Sequence, residues 1–259
     1  MGLKKTSIKE LQSVLCQLGV KAGDVVMIHS AIFTLGIVES GLPGVLKAFQ
    51  NILGKDGTLI VPTFTYSFRY NEIFNVRNTP CPKVLGAFSE YIRGIDGSVR
   101  SLDPLFSMAA IGPEAMTLMR RTSINSFGKD SVYETLFSRN ILILGLGITY
   151  DTGISAFIHL EKLANVEYRS ERLLRGISVG MDGVLYEDSA IHYERNLEKF
   201  PRGRRNRIPF GLEMELNGIS NAISYGSGKH IAIRTKLFEE YTLERLKKDP
   251  WTMFKKHSN

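Results

Sequence analysis

Arg100, Ser101, Asp103 and Ser107 fall within eight positions, inside a stretch from Gly97 to Gly112 that otherwise holds turn formers and apolar residues. The run Met108 to Ile111 reads as the start of a buried strand. A guanidinium, two hydroxyls and a carboxylate at the mouth of a strand require hydrogen-bond partners or a polar ligand, because burying them unpaired is costly. A capped, salt-bridged turn and a ligand site both meet that requirement. His159 and Glu161 make a second constellation, in a helical stretch, 156–166, that follows an apolar strand. A histidine there suits general-base work, being partly neutral near pH 7, and it equally suits a satisfied core position. His192, His230 and His257 lack such surroundings, and no two histidines have metal-ligand spacing, so no metal is expected.

Positioning these groups falls to strands alternating with helices. Asp24 to His29, Thr58 to Pro62 and Ile141 to Gly145 are β-branched or apolar runs bounded by glycine or polar turns, the pattern of strands buried on both faces. Between and around them, Ser7 to Leu18, Leu42 to Leu53 and Val84 to Ile92 have helical periodicity, and Ser7 with Glu10 forms a capping box closed by Gly19. The alternation predicts an α/β fold with a largely parallel sheet in this half. Beyond about residue 175, short glycine-punctuated segments (Gly176 to Leu185, Ile219 to Tyr225, Lys229 to Arg234) predict an antiparallel, loop-rich part over about 176–235, and a last helix runs from Leu237 to Lys247. The chain reads as one domain, 1–259, with the polar, arginine-rich segment Tyr193 to Pro209 as a surface loop. Ligands in open α/β sheets bind beyond the carboxyl ends of strands. The turns His29 to Gly36 and Pro62 to Thr65 lie there, with hydroxyls and amides suited to phosphate or amide oxygens and also to helix caps. Neither turn has the glycine spacing of a P-loop or a dinucleotide fingerprint.

With 259 residues, 43% hydrophobic and 23% charged, the chain is long enough for a sizeable core, and no apolar stretch approaches the roughly 18 residues of a membrane span. A cytoplasmic protein is expected, with neither a membrane nor nucleic acid as partner, and a homodimer is the expected assembly. Two distant cysteines, Cys16 and Cys81, make no disulfide framework. The net charge is +7, and Arg202, Arg204, Arg205 and Arg207 cluster within six positions. Such a cluster serves as a phosphate fork or as a solvated loop.

Taken together, five segments resemble the aminoglycoside 3-N-acetyltransferase family: Gly-Asp-x-x-x-x-His-Ser from Gly23, Gly-Thr-Leu-Ile-Val-Pro-Thr-Phe-Thr from Gly57, Arg-Ser-x-Asp-Pro-x-x-Ser from Arg100, Phe127-Gly128, and Phe157-Ile158-His159 with Glu161 and Tyr168-Arg169. Order and separation match over nearly the whole chain. The resemblance implies a single α/β/α sandwich with a mixed sheet, acetyl-CoA or another acyl-CoA as co-substrate, no metal, and transfer of the acyl group to a sugar amine. It implies that Ser30, Ala31, Leu35, Gly36, Thr63, Phe64 and Thr65 hold coenzyme A, with Arg100, Ser107, Ser126, Phe127 and Gly128 closing the channel. His159 matches the family's catalytic histidine and Glu161 its orienting acid. Their spacing is two where the family has three, which on a regular helix points them about 200° apart. Asp103 stands where a histidine is common in the family, offering a second base or an amine-binding carboxylate. Backbone amides near Ser30 or Thr63 are expected to hold the oxyanion. On the acceptor side the expected contacts are His29, Tyr66, Asp103, Arg204 and Arg205. The basic charge and the arginine cluster favour a small-molecule amino sugar linked to a nucleotide, for surface polysaccharide biosynthesis. The alternatives are an aminoglycoside acetyltransferase of antibiotic resistance and a non-catalytic coenzyme A or nucleotide-binding protein.

Overall fold

The computed structural model describes residues 4–256, so His257 lies outside the described residues. In chain order the main elements are α1 (Ile8–Gln17), β1 (Val25–Ser30), α2 (Gly41–Leu53), β2 (Thr58–Pro62), α3 (Ala87–Gly94), β3 (Val99–Arg100), β4 (Met108–Ile111), α4 (Val132–Ser138), β5 (Leu142–Leu146), α5 (Ala156–Leu163), β6 (Arg169–Val179), β7 (Leu185–Arg195), α6 (Arg207–Leu216), β8 (Ser220–Tyr225), β9 (Gly228–Arg234) and α7 (Thr235–Lys248). A seven-stranded sheet has the order β8-β9-β5-β1-β2-β4-β3. Its centre is parallel, β5 and β2 flanking β1, and both wings are antiparallel.

The central strands form from apolar runs because both of their faces are covered. Along β1, Val26 and Ile28 join one core with Leu11, Val45, Phe49 and Phe88 of α1, α2 and α3. Val25 and Met27, pointing the other way at the period of two, join a second core with Phe137, Phe157, Phe210 and Phe238 of α4, α5, α6 and α7. Burying one such phenylalanine contributes roughly 1.5–3 kcal/mol. The α/β/α sandwich with a mixed sheet is therefore as expected. The capping box is also present: Ser7 Oγ accepts from the Glu10 amide at 3.2 Å, and the Glu10 carboxylate accepts from the Ser7 amide at 2.8 Å.

Two segments differ from the sequence expectation. The stretch 84–92 breaks into a short 3-10 turn, Lys83–Leu85, and α3, because Gly86 adopts φ 82° and lies so close to the Ser30 carbonyl that a Cβ would sit 2.9 Å from its oxygen. The antiparallel part over 176–235 divides in two. β8 and β9 complete the main sheet beyond β5, whereas β6 and β7 pair over eleven positions, from Arg169↔Arg195 to Val179↔Leu185, in a separate sheet edged by Phe74–Asn75. Within the arginine-rich segment, Tyr193 to Arg195 belong to β7, and Arg204–Arg205 pair with Phe254–Lys255. No helix among the described residues is long and apolar enough to cross a membrane.

Candidate active site

Beyond the carboxyl ends of β1, β2 and β5 lie two cavities with a common wall of Tyr66, Phe106, Ile158, Arg205 and Arg207. The larger, about 490 Å³, is lined by the turn after β1 (Ser30, Ala31), by Phe64 after β2, by Val84 and Leu85, and by residues of the Gly147 to Ser155 segment after β5. The smaller, about 360 Å³, lies under the β6–β7 hairpin and adds Arg69, Arg169, His192, Glu194, Arg195 and Leu197. The topology explains the placement, since the ends of the parallel strands form one wall and the hairpin, reached only after α5, forms the other.

Of the residues expected to hold coenzyme A, Ser30, Ala31 and Phe64 line the larger cavity. Leu35 and Gly36 do not: Leu35 is fully buried, and the Gly36 Cα faces the Lys4 carbonyl so closely that a Cβ would come within 2.2 Å. Thr63, Thr65, Arg100 and Ser107 do converge, but on one another. The buried Arg100 donates from Nη2 to the Thr63 carbonyl at 2.6 Å and to Thr65 Oγ1 at 3.1 Å, from Nη1 to the Thr79 carbonyl at 2.6 Å, and from Nε to Ser107 Oγ at 3.1 Å. Every one of its nitrogens is engaged, and the cluster lies outside both cavity linings, so these four residues brace the fold. Burial pushes the Arg100 pKa down to about 10, which leaves it charged at neutral pH. The Thr63 amide donates to the Ser107 carbonyl and the Ala31 amide to the Leu146 carbonyl, which removes both from the expected oxyanion role. Ser126, Phe127 and Gly128 are buried outside the linings, with Phe127 packed on Phe106 at 4.6 Å between ring centres.

Asp103 is corrected likewise. Its Oδ1 accepts from the amides of Leu105 and Phe106, each at 2.8 Å, closing the turn that presents Phe106 to both cavities. On the acceptor side, Tyr66 and Arg205 line both cavities. His29 is buried behind the lining, with Nε2 3.4 Å from Ser155 Oγ, and Arg204 is exposed and lines neither cavity.

The α5 helix turns its histidine inward. His159 is 1% exposed, packs on Phe137 at 4.6 Å, and accepts from the Gly128 amide at Nδ1, 3.1 Å. Burial pushes its pKa down to about 4. It lines neither cavity. Glu161 does not orient it: the Glu161 carboxylate is buried among Arg169, Arg207 at 2.8 Å, and the Tyr168 hydroxyl at 3.3 Å. Burial raises the Glu161 pKa, and the two guanidiniums outweigh that and hold it below the usual carboxylate range. The cavity-facing residue one turn before Glu161 is Ile158. The two-residue offset between His159 and Glu161 thus has its expected result, opposite sides of a regular helix.

Arg69, His192 and Glu194 are among the cavity-lining residues that the sequence expectation passed over. Ala190 and His192 are buried on the inner face of β7, and Glu194 follows at the same period of two. A His-x-Glu step in a strand next to an arginine-rich segment was the available signal. The arginines raise the local potential: burial, then Arg207, Arg195 and Arg169, lower the Arg205 pKa. Yet most are engaged. Arg205 Nη1 donates to the Asp151 carbonyl, Arg207 pairs with Glu161, and the Arg204–Arg205 backbone pairs with Phe254–Lys255.

Comparison with known proteins bears on the acceptor. The family model of aminoglycoside 3-N-acetyltransferase matches residues 27–244, a span that contains every lining residue of both cavities. Aminoglycoside N(3)-acetyltransferase IX of Micromonospora chalcea is 29% identical over 227 residues, covering 76% of this chain and 80% of the relative. Aminoglycoside N(3)-acetyltransferase IV of Salmonella sp is 28% identical over 193 residues, 74% of this chain and 71% of the relative. Among solved structures, AAC(3)-Xa superposes with a TM-score of 0.82 at 21% identity over 94% of this chain and 93% of that one. AAC-IIIb with CoASH superposes at 0.81 and 17% identity, over 95% and 97%. A histidine-to-alanine mutant of AAC(3)-IVa in complex with a gentamicin superposes at 0.81 and 23% identity, over 98% and 93%. These structural likenesses show the fold. The expected nucleotide-linked amino-sugar acceptor, drawn from net charge and the arginine cluster, is overturned by the family and by the relatives' activity; physically, the cluster is engaged in holding Glu161, Asp151 and the 254–255 strand. The chain belongs to the aminoglycoside 3-N-acetyltransferase family and is an acyl-coenzyme A-dependent N-acyltransferase.

Proposed function

We propose that this enzyme acetylates an amino group of an aminoglycoside with acetyl-coenzyme A, in the cytoplasm, where that donor is made. The family match across both adjoining cavities carries the reading. The larger cavity, with Phe64, Leu85, Ile148 and Ile154 beside Ser30 and Thr149, has the apolar length and polar points that a pantetheine arm requires. The smaller holds a carboxylate, Glu194, and a histidine, His192, under the hairpin, and takes the amino sugar. An amine held at the common wall attacks the thioester carbonyl. The C–S bond then breaks, the sugar becomes an amide, and coenzyme A leaves as its thiol. Holding both reactants at one junction supplies much of the acceleration by orientation alone.

Thiol release decides the matter. Protein given acetyl-coenzyme A with gentamicin or sisomicin is expected to release thiol and to give a product heavier by one acetyl group. Coenzyme A binding without thiol release on either acceptor would reject the reading.

A further inference from the structure

The smaller cavity needs a proton acceptor, because the attacking amine sheds a proton as the amide bond forms, and the α5 histidine is turned into the core. Of the four histidines in the described residues, His192 alone lines either of the two adjoining cavities. Its Nδ1 lies 3.1 Å from Glu194 Oε2, and Arg69 Nη2 lies 2.9 Å from Nε2 and 3.2 Å from Nδ1. Glu194 assigns the tautomer. A carboxylate only accepts, so Nδ1 carries the proton and Nε2 keeps the lone pair, which takes a proton once Arg69 gives way. The ring packs against Phe106, which is part of the wall common to both cavities, at 5.4 Å between centres. Resting on the function proposed above, we propose that His192 is the general base of the transfer step and that Glu194 is its positioning residue.

The structure gives the base a cationic N–H as its resting partner. Arg69 reaches Nε2 from the short turn Tyr66–Tyr70, and its own Nε is buried without a partner. An acceptor ammonium presents the same charge and the same kind of donor, so it replaces Arg69 at Nε2 without changing the ring's tautomer. The ammonium gives its first proton to solvent and attacks as the neutral amine, and a second N–H proton moves to Nε2 as the new C–N bond forms. The imidazolium, facing Glu194 across Nδ1, then passes that proton to the departing sulfur as the C–S bond breaks. Ile158, with no proton-accepting atom, fills the α5 position that faces the same space.

The test measures thiol release and coenzyme A binding by wild type, His192→Gln, His192→Ala and Glu194→Gln. Wild type without thiol release overturns the function and this base assignment together; wild-type turnover isolates the assignment. The expected result is a fall in kcat of roughly 10²- to 10⁴-fold for both His192 variants, with KM and coenzyme A binding little changed, and partial recovery of His192→Ala on adding imidazole. Glu194→Gln is expected to lower kcat less than the His192 changes, again at unchanged KM. A His192 variant that binds coenzyme A and turns over within about threefold of wild type overturns the assignment, being far short of the effect of a positioned base. If neither His192 variant binds coenzyme A, Glu194→Gln decides, and an unchanged kcat for that variant overturns it.

Discussion

Two polar clusters, one around Arg100 and one around His192, use side chains of similar kinds. Around Arg100, each guanidinium nitrogen meets a carbonyl or hydroxyl of Thr63, Thr65, Thr79 or Ser107, and nothing in the cluster faces a cavity. Around His192, Nδ1 meets the Glu194 carboxylate, the Arg69 guanidinium reaches both ring nitrogens, and the whole group borders about 360 Å³ of open space. The difference is one of closure. A polar cluster whose bonding capacity is satisfied within the fold contributes stability, whereas one that leaves an exchangeable partner beside a cavity is available to a ligand.

That contrast is broken or sharpened by three measurements. The largest effect is expected for Arg100→Met, which leaves the Thr79 carbonyl and Thr65 Oγ1 without their donor, while Ser107 Oγ still donates to the Thr63 carbonyl. At about 1–3 kcal/mol per orphaned group, a loss of at least about 2 kcal/mol is expected in denaturant unfolding. A loss under about 1 kcal/mol would show that water or a neighbour replaces the guanidinium, and the two clusters would then differ less than described.

The second concerns pH. Burial pushes His29 down to about 3 and His159 to about 4, and burial with Arg69 nearby pushes His192 to about 3. Between about pH 6.5 and those values the unfolded chain binds protons that the folded chain refuses. Stability is therefore full above about pH 6.5 and falls as the pH drops toward about 4, by up to about 1.4 kcal/mol per pH unit for each histidine. Unfolding midpoints at about pH 7, 5.5 and 4.5 are expected to fall in that order, and His159→Gln is expected to flatten the slope. An unchanged slope in that variant would contradict the core placement of His159.

The smallest stability effect is expected for Glu194→Gln. Glu194 is 30% exposed at the side chain and belongs to the open cluster. Its loss is expected to shift stability by no more than about 0.5 kcal/mol while lowering turnover, the reverse of Arg100→Met. A large destabilisation would place Glu194 with the closed cluster.

The central strands and the first helix were legible because their signals are local. Apolar runs such as Val25–Ile28 and the Ser7–Glu10 box need only their own few residues to be interpreted. The turn residues Ser30, Ala31, Phe64 and Tyr66 were legible too, since strand ends in an α/β sheet face the ligand side. What failed was direction. Thr63, Arg100, Asp103 and His159 have chemistry-bearing side chains at the right places along the chain, but whether each faces a cavity or a neighbour depends on a helix phase or on a turn closed from elsewhere. His192 was passed over for a different reason: its surroundings depend on Arg69, 123 positions away, and on a hairpin that folds back over strands formed much earlier in the chain.

The separate hairpin sheet has an evolutionary consequence. β6 and β7 share no ladder with the seven-stranded sheet, so substitutions at their half-buried cavity positions, such as Glu194 or Arg195, need not disturb that sheet's pairing. On the proposed assignment, the donor half is constrained by the architecture of the sandwich, and the acceptor half is freer to change at such positions. A lineage of this fold can then change which amine it recognises in small steps, one strand position at a time, while the half that grips coenzyme A is inherited unchanged.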